Sequence, residues 1–307
     1  MGSIHHLVLR HGRNGARDLV HGEERRRLVE IAAEVLEEES RAIGITYSGF
    51  CLTALPHRRL PDDRHWVRTS PRVTLMVEPG RLPDDEQLYG VPYGSRARLI
   101  LLYLQTRAMQ TGSPEVELGR SMREWMGRLG VSLGGKSYRD VRDQANRISA
   151  CRLTFSWNHG GGTGFKRDGI VDGGITLHDE DDDARQGRLW VDTVHLSPTF
   201  FRALREHPVP IWEPALRYIS NQSMAIDVYI WLAYRLHQLE GAARVSWPAL
   251  HAQFGAGFRA LHHFKPRFAE ATVMACAVYP EAAVDVTDQG LTLHPSPPPV
   301  PARTLLA

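Results

Sequence analysis

SMREWMGRLGVSLGGKSYRDVRDQANRISACRLTFSW, residues 121–157, changes its hydrophobic period twice, and those changes decide the fold. Ser121 is placed to cap a helix in which Met122, Trp125, Met126 and Leu129 recur at spacings of three, one and three. Residues 130–135 form a glycine-rich turn. A second helix follows, with Tyr138, Val141, Ala145 and Ile148 repeating three, four, three. After Cys151 the period falls to two: Leu153, Phe155 and Trp157 alternate with Arg152, Thr154 and Ser156, the pattern of a strand with one buried face.

Working outward, Pro92, Gly94 and Ser95 open a helix running to about Gln110, and a short strand follows over 115–118. Downstream, the loop 159–164 contains four glycines and leads to a strand over 170–177. An acidic run, 179–183, precedes another strand over 189–196. Helix, strand, helix, glycine turn, helix, strand, loop, strand is the order of a winged helix. The order recurs in the C-terminal third. A buried helix over 224–239 leads to a short strand at Arg244 and Val245. Ser246 then caps a helix with Pro248 early in it and Trp247, Leu250 and Phe254 as its apolar residues. Gly255 and Gly257 make the turn, an amphipathic stretch covers 258–278, and a hairpin pairs 284–286 with 291–293 across Asp288-Gln289-Gly290. The expected class is therefore α+β, mainly α, with tandem winged-helix domains over 91–205 and 206–294.

Residues 1–90 read as an N-terminal extension. It holds an amphipathic, net acidic helix over 22–42, then a proline-punctuated loop region with a strand at 73–77. Residues 295–307 read as a proline-rich, disordered tail, a spacer rather than an SH3 ligand. The length, 307 residues, allows two domains with cores of their own. Three widely spaced cysteines (Cys51, Cys151, Cys276) without a CxxC motif argue against a disulfide frame or a zinc site and suit a reducing cytoplasm. The longest apolar segment, 224–239, is interrupted by Asp227, Arg235 and His237 and falls short of the roughly 20 residues that span a bilayer. No membrane partner, metal or cofactor is expected.

Thirty-seven basic residues nearly balance thirty-five acidic ones, which conceals a local excess. From 120 to 152 there are eight basic and three acidic residues, a local charge of +5. With Tyr138, Val141, Ala145 and Ile148 on the core side, Lys136, Arg139, Asp143, Asn146 and Arg147 point away, and Arg142 lies on the flank. Long cationic and amide side chains on an exposed helix suit phosphate and base-edge contacts. Lys136 and Ser137 open the helix, and Lys166 and Arg167, in the loop between the next two strands, suit a wing that grips phosphate. In the second unit Arg259, His262, His263, Lys265 and Arg267 form a like cluster. Pro266 there is expected in the first turn of a helix that starts near Lys265. Only three basic residues are lysine, and they fall on these three elements.

Two other chemistries compete. Residues 130–137, GVSLGGKS, satisfy the P-loop expression GxxxxGK[ST], with Asp192 as a Walker B candidate. A P-loop needs a strand feeding its first glycine, whereas 122–129 has a helical period. The acidic run 179–183 reads as a solvated loop rather than a metal-dependent nuclease site, which needs carboxylates from several elements. A transcriptional repressor of the same fold remains the main alternative to the reading that follows.

The stretches GVPYGSRARLILLYLQT (90–106), VELGRSMREWMGRLGVSLGGKSY (116–138) and VRDQANRISACRLTF (141–155) resemble plasmid-encoded RepA-type replication initiators. So do MAIDVYIWLAYRLHQL (224–239), VSWPALHAQFG (245–255), GLTLHPSPPPVP (290–301) and LPHRRLPDD (55–63). The resemblance implies a protein that is not an enzyme. It would bind double-stranded DNA at repeated origin sites (iterons), recruit host replication proteins, and exchange between monomer and homodimer. Two such heads, one helical turn apart, would cover about 20 base pairs.

Overall fold

The computed structural model describes residues 3–83, 85–119, 121–159, 162–172 and 193–300, with 3, 158, 159 and 162–168 described by their backbone. In chain order its elements begin with α1 (Ser3–Leu19), α2 (Glu23–Glu37), β1 (Ile43–Tyr47), α3 (Ser48–Leu52), β2 (Trp66–Thr69) and β3 (Val73–Glu78). Next come α4 (Gly94–Thr111), β4 (Glu115–Glu117), α5 (Met122–Arg128), α6 (Gly135–Ala150), β5 (Arg152–His159), β6 (Gly162–Gly169), β7 (Val171–Asp172) and β8 (Thr193–Leu196). Then follow α7 (Pro198–Glu206), β9 (Pro208–Trp212), α8 (Ala215–Ile219), α9 (Ser223–Arg235), a 3-10 turn (Leu236–Gln238), β10 (Ala243–Ser246), α10 (Trp247–Phe254), α11 (Leu261–Ala277), β11 (Val284–Thr287) and β12 (Gly290–Leu293). Helices dominate and the sheets are small and antiparallel, as the sequence class requires. The acidic run 179–183, Asp192, and parts of the strands expected over 170–177 and 189–196 lie outside the described residues.

The chain divides into two units, Ile45–Pro208 and the pair Met1–Gly44 with Val209–Ala307. The expected N-terminal extension 1–90 is thus not one piece. Its first helices belong with the C-terminal third, to which His5 is tied through the Ala277 carbonyl and Ser40 through the Trp212 indole N–H.

In the Ile45–Pro208 unit, the helix-turn-helix is built as its sequence dictates. Ser121 Oγ accepts a hydrogen bond from the Glu124 backbone N–H at 3.2 Å and starts α5. Gly130, at φ 65°, ends it. Its N–H bonds the Gly127 carbonyl (3.1 Å) and the Val131 N–H bonds the Met126 carbonyl (3.0 Å), the double hydrogen bond of a Schellman stop. Trp125 and Met126 are buried without exposed surface, alongside Val141, Ala145 and Ile148 of α6 and Ile100 and Leu104 of α4. Ser121→Ala is expected to cost about 1 kcal/mol of unfolding free energy in urea titration.

Two sheets flank these helices. One has the order β4-β8-β7, with Val116 opposite Val194. The other is β2-β3-β5-β6, in which β3 and β5 pair from Val73–Trp157 to Glu78–Arg152. Residues 162–169, expected largely as loop, form the strand β6 because each backbone position finds a ladder partner on β5.

In the other unit, α9 is buried nearly all round, from Ala225 to Ala233. An aromatic row, Trp231–Phe254–Phe268–Phe264, joins α9, α10 and α11 with ring centroids 5.0–5.4 Å apart. Its sheet runs β10-β12-β11. Ser246 Oγ caps α10 as expected. α11 starts at Leu261 rather than near Lys265, so Pro266 lies inside the helix. Burial of Phe264 and Phe268, one turn apart, favours helix on both sides of the proline. α1, which has no obvious sequence signature, packs with α2 through Val8, Ala16, Val29, Ala32 and Ala33. The α1 residue His5 hydrogen-bonds the Ala277 carbonyl at 3.0 Å. The expected disordered tail is ordered over 295–300: Ser296 N–H bonds Leu236 O, the Tyr279 hydroxyl bonds Pro297 O, and Val300 is buried. Residues 301–307 lie outside the described residues.

Candidate nucleic-acid interface

Helix α6 presents two different halves. Its N-terminal half is open: residues 132–136, Arg139 and Asp140 are exposed, and Ser137 and Arg142 are half-buried. The N-cap position, Gly134, provides no side-chain acceptor, so the first backbone N–H groups of α6 have no capping side chain. Such an end favours an anion, and Lys136 stands beside it.

The C-terminal half is enclosed by the chain from 57 to 93. Arg147 Nη1 donates to Asp62 Oδ1 at 2.8 Å, and its Nε donates to Asp143 at 2.9–3.0 Å. The same guanidinium lies 5.3 Å from the Tyr93 ring centroid. Gln144 Oε1 accepts the Tyr93 N–H at 2.8 Å. Asn146 pairs with the Tyr89 hydroxyl, which itself donates to Asp85 at 2.7 Å. Gly80 approaches so closely that a Cβ there would lie 1.9 Å from the Ala150 carbonyl oxygen. Residue 80 is held in place by its two-way bridge with Tyr89.

Arg147 must therefore be withdrawn from the expected DNA-facing set. Its side chain is only 3% exposed and is committed to two carboxylates. Burial disfavours its charge, and the Asp143 and Asp62 hydrogen bonds outweigh that and raise its pKa. The spacing of Asp143 and Arg147, four residues on a helix, was the available signal for this pairing. Asp62 could not be located from spacing alone, although LPHRRLPDD contains it.

These contacts also change the electrostatics of the exposed half. Asp143 is answered by Arg147, and burial lowers the pKa of Arg96 of α4, an effect that nearby Asp140 only partly offsets. Lys136 and Arg139 stand on the open half of the helix together with exposed Asp140, while Asp143 is taken up by Arg147. Lys166 and Arg167 are placed by backbone register opposite Phe155 and Thr154, on β6 rather than in a loop.

On α11, His262, His263 and Arg267 are exposed, with the two imidazole rings 4.0 Å apart, and Arg259 is exposed just before the helix. Lys265 is half-buried with its ammonium 5.9 Å from the Trp247 ring centroid. Arg267 pairs with Glu270 at 3.2 Å. The structure thus gathers the second cluster on the N-terminal part of α11, while two of its members also hold intramolecular partners.

Other chemistries find little footing. The GxxxxGKS turn follows helix α5, not a strand, and its first glycine is the Schellman stop. Burial pushes the Cys151 and Cys276 thiols up to about 12, the wrong direction for nucleophiles. Among the described residues, no group of three or more His, Cys, Asp and Glu side chains could hold a metal ion, and no helix is long and apolar enough to cross a membrane.

Comparison with known proteins adds identity to this geometry. No curated protein matches the sequence. Two crystal structures of RctB domains 2 and 3, one from selenomethionine protein, are similar at 14% identity with TM-scores of 0.47. They cover 72% and 71% of this chain and 81% and 79% of their own. The family model described as plasmid encoded RepA protein matches residues 91–249, which include α4 to α6 and α9. On that match, over more than half its length, the chain belongs to the plasmid-encoded RepA protein family.

Proposed function

We propose that this RepA-family chain is a replication initiator that binds repeated duplex DNA sites at its plasmid's origin. The observation that carries the reading is the open N-terminal half of α6. There Lys136, Ser137, Arg139 and Arg142 cluster on a helix whose acid Asp143 is paired with Arg147 within the protein. Helix-turn-helix proteins read bases with the N-terminal residues of the second helix. Arg139 and Arg142 suit bidentate contact to guanine, Asn146 borders them, and Lys136 neutralises a phosphate.

With the β5–β6 hairpin set aside, α4-β4-α5-α6-β7-β8 and α9-β10-α10-α11-β11-β12 share the order helix, strand, helix, helix, strand, strand, and their sheets order the strands alike, β4-β8-β7 and β10-β12-β11. That parallel supports tandem winged-helix domains. It transfers the wing of the first from β5–β6 to β7–β8, and makes β11–β12 the wing of the second. Lys166 and Arg167 then belong to an additional hairpin that contacts backbone phosphate. Arg259, His262, His263, Lys265 and Arg267 form the second head's contact set. The protein acts in the cytoplasm without nucleotide hydrolysis, recruits host replication proteins, and exchanges between monomer and homodimer.

Two measurements test this. DNA beside the gene, cloned without another origin, should replicate only when the protein is supplied; failure under adequate expression favours a repressor of the same fold. In binding titrations, Arg139→Ala should cost about 1–3 kcal/mol on the cognate duplex and relax specificity at one position. Lys136→Ala should weaken cognate and scrambled duplexes alike. Equal loss on both duplexes for Arg139→Ala would sink its role in base reading.

A further inference from the structure

The loop 57–65 carries the HRRLPDD part of the family-like stretch and contributes none of the DNA contacts proposed for α6 and α11. At 3.6 residues per turn, Lys136, Asp140, Asp143 and Arg147 fall on one stripe of α6. The loop is fastened at the far end of that stripe. Asp62 Oδ1 receives Arg147 at 2.8 Å, and Asp62 Oδ2 receives Arg59 at 2.7 Å.

Its backbone is anchored as well. Buried Arg98 donates to the carbonyls of Leu55 (2.7 Å) and Pro56 (3.2 Å), the Gly94 N–H bonds Pro56 O (2.9 Å), and a turn joins Arg64 N–H to Pro61 O (3.0 Å). From this fixed frame Arg58, Arg59 and Arg64 project as exposed side chains. Asp62 is engaged by Arg147 and Arg59, which leaves Asp63 as the loop's exposed acid.

The spacing decides what the loop meets. Lys136 and Arg147 are separated along α6 by about 16 Å at 1.5 Å per residue. The major groove is roughly 12 Å wide. A helix that inserts its N-terminal half into the groove brings its Arg147 end, with the attached loop, out over a sugar–phosphate strand.

We propose that loop 57–65 is a second DNA-contacting element, in which Arg58, Arg59 and Arg64 grip the phosphate backbone flanking the groove read by α6. Asp62 is the positioning residue that fastens this grip to the reading helix. The proposal rests on the DNA-binding reading of α6, and its test separates the two.

The full-length chain is titrated with a duplex from the DNA flanking its gene and with a scrambled duplex, across a range of salt. The double variant Arg58→Ala/Arg64→Ala should lose the same factor in affinity on both duplexes. The slope of log affinity against log salt should fall by about 2, one unit per phosphate contact. Arg58→Lys/Arg64→Lys should restore the slope, since a point charge suffices at a phosphate. An unchanged slope in the alanine variant, with Arg139→Ala still relaxing specificity, overturns the loop's role and leaves α6 standing. A wild-type chain that binds neither duplex overturns both.

Discussion

Replacing Arg147 with alanine is expected to destabilise the Ile45–Pro208 unit by about 2–3 kcal/mol, measured by urea unfolding. Removing one partner from a buried ion pair leaves the other charge uncompensated and typically costs about 3–5 kcal/mol. The lower figure applies because the orphaned carboxylates, Asp62 and Asp143, are 31% and 36% exposed and water answers part of the loss. Adding Asp62→Asn to the alanine variant should recover some stability, because it removes one of the stranded charges; strict additivity would mean that the pair is not coupled.

The pH dependence follows. Burial raises the Asp62 pKa, but the Arg59 and Arg147 hydrogen bonds outweigh it, so the folded value lies below the ordinary one. Its stabilising contribution is then complete above the unfolded carboxyl pKa near 4 and fades as pH falls through the folded value. The Arg147→Ala protein should lose much of this acid-side dependence.

Trp125→Ala is expected to have the larger effect, about 3–5 kcal/mol. Trp125 has no exposed surface, and it meets Tyr103 edge-on with ring centroids 6.4 Å apart. Tyr103 in turn donates to the Glu117 carbonyl at 2.7 Å, so the indole supports α4, α5 and β4 together. Against a total stability of about 5–15 kcal/mol, the loss should be visible as a large shift of the urea midpoint. Trp125→Phe keeps an aromatic ring and removes an indole N–H that finds no acceptor among the described residues. It should cost far less; an equal cost would mean that the indole's shape, rather than its apolar bulk, holds the helices.

The helix-turn-helix was legible because its signals are local. Ser121 and Ser246 cap where a serine before an apolar repeat should, and Gly130 stops α5 where a positive φ is needed. Arg147 was misread for a related reason. Helical period alone put it on the outward stripe, which is where it lies, but the covering loop comes from sequence some 85 residues earlier. Periodicity describes a helix against its own core and carries no information about a distant segment laid across its outer face. Pro266 misled in the opposite sense: propensity favoured a helix start beside it, and burial of Phe264 and Phe268 overrode that preference. The partition of the first ninety residues was illegible too, since His5 reaches Ala277 across nearly the whole sequence.

That last contact has a consequence for synthesis. The chain leaves one unit after Gly44, builds the whole of the other, and returns at Val209 to complete the first. On the ribosome, helix α6 and the loop 57–65 are available while α1 still awaits Ala277. At roughly 5–20 residues per second the wait lasts on the order of tens of seconds. During it, the apolar cluster shared by α1 and α2 gives the leading segment a hairpin of its own, which shelters Val8 and Val29 before α11 has emerged.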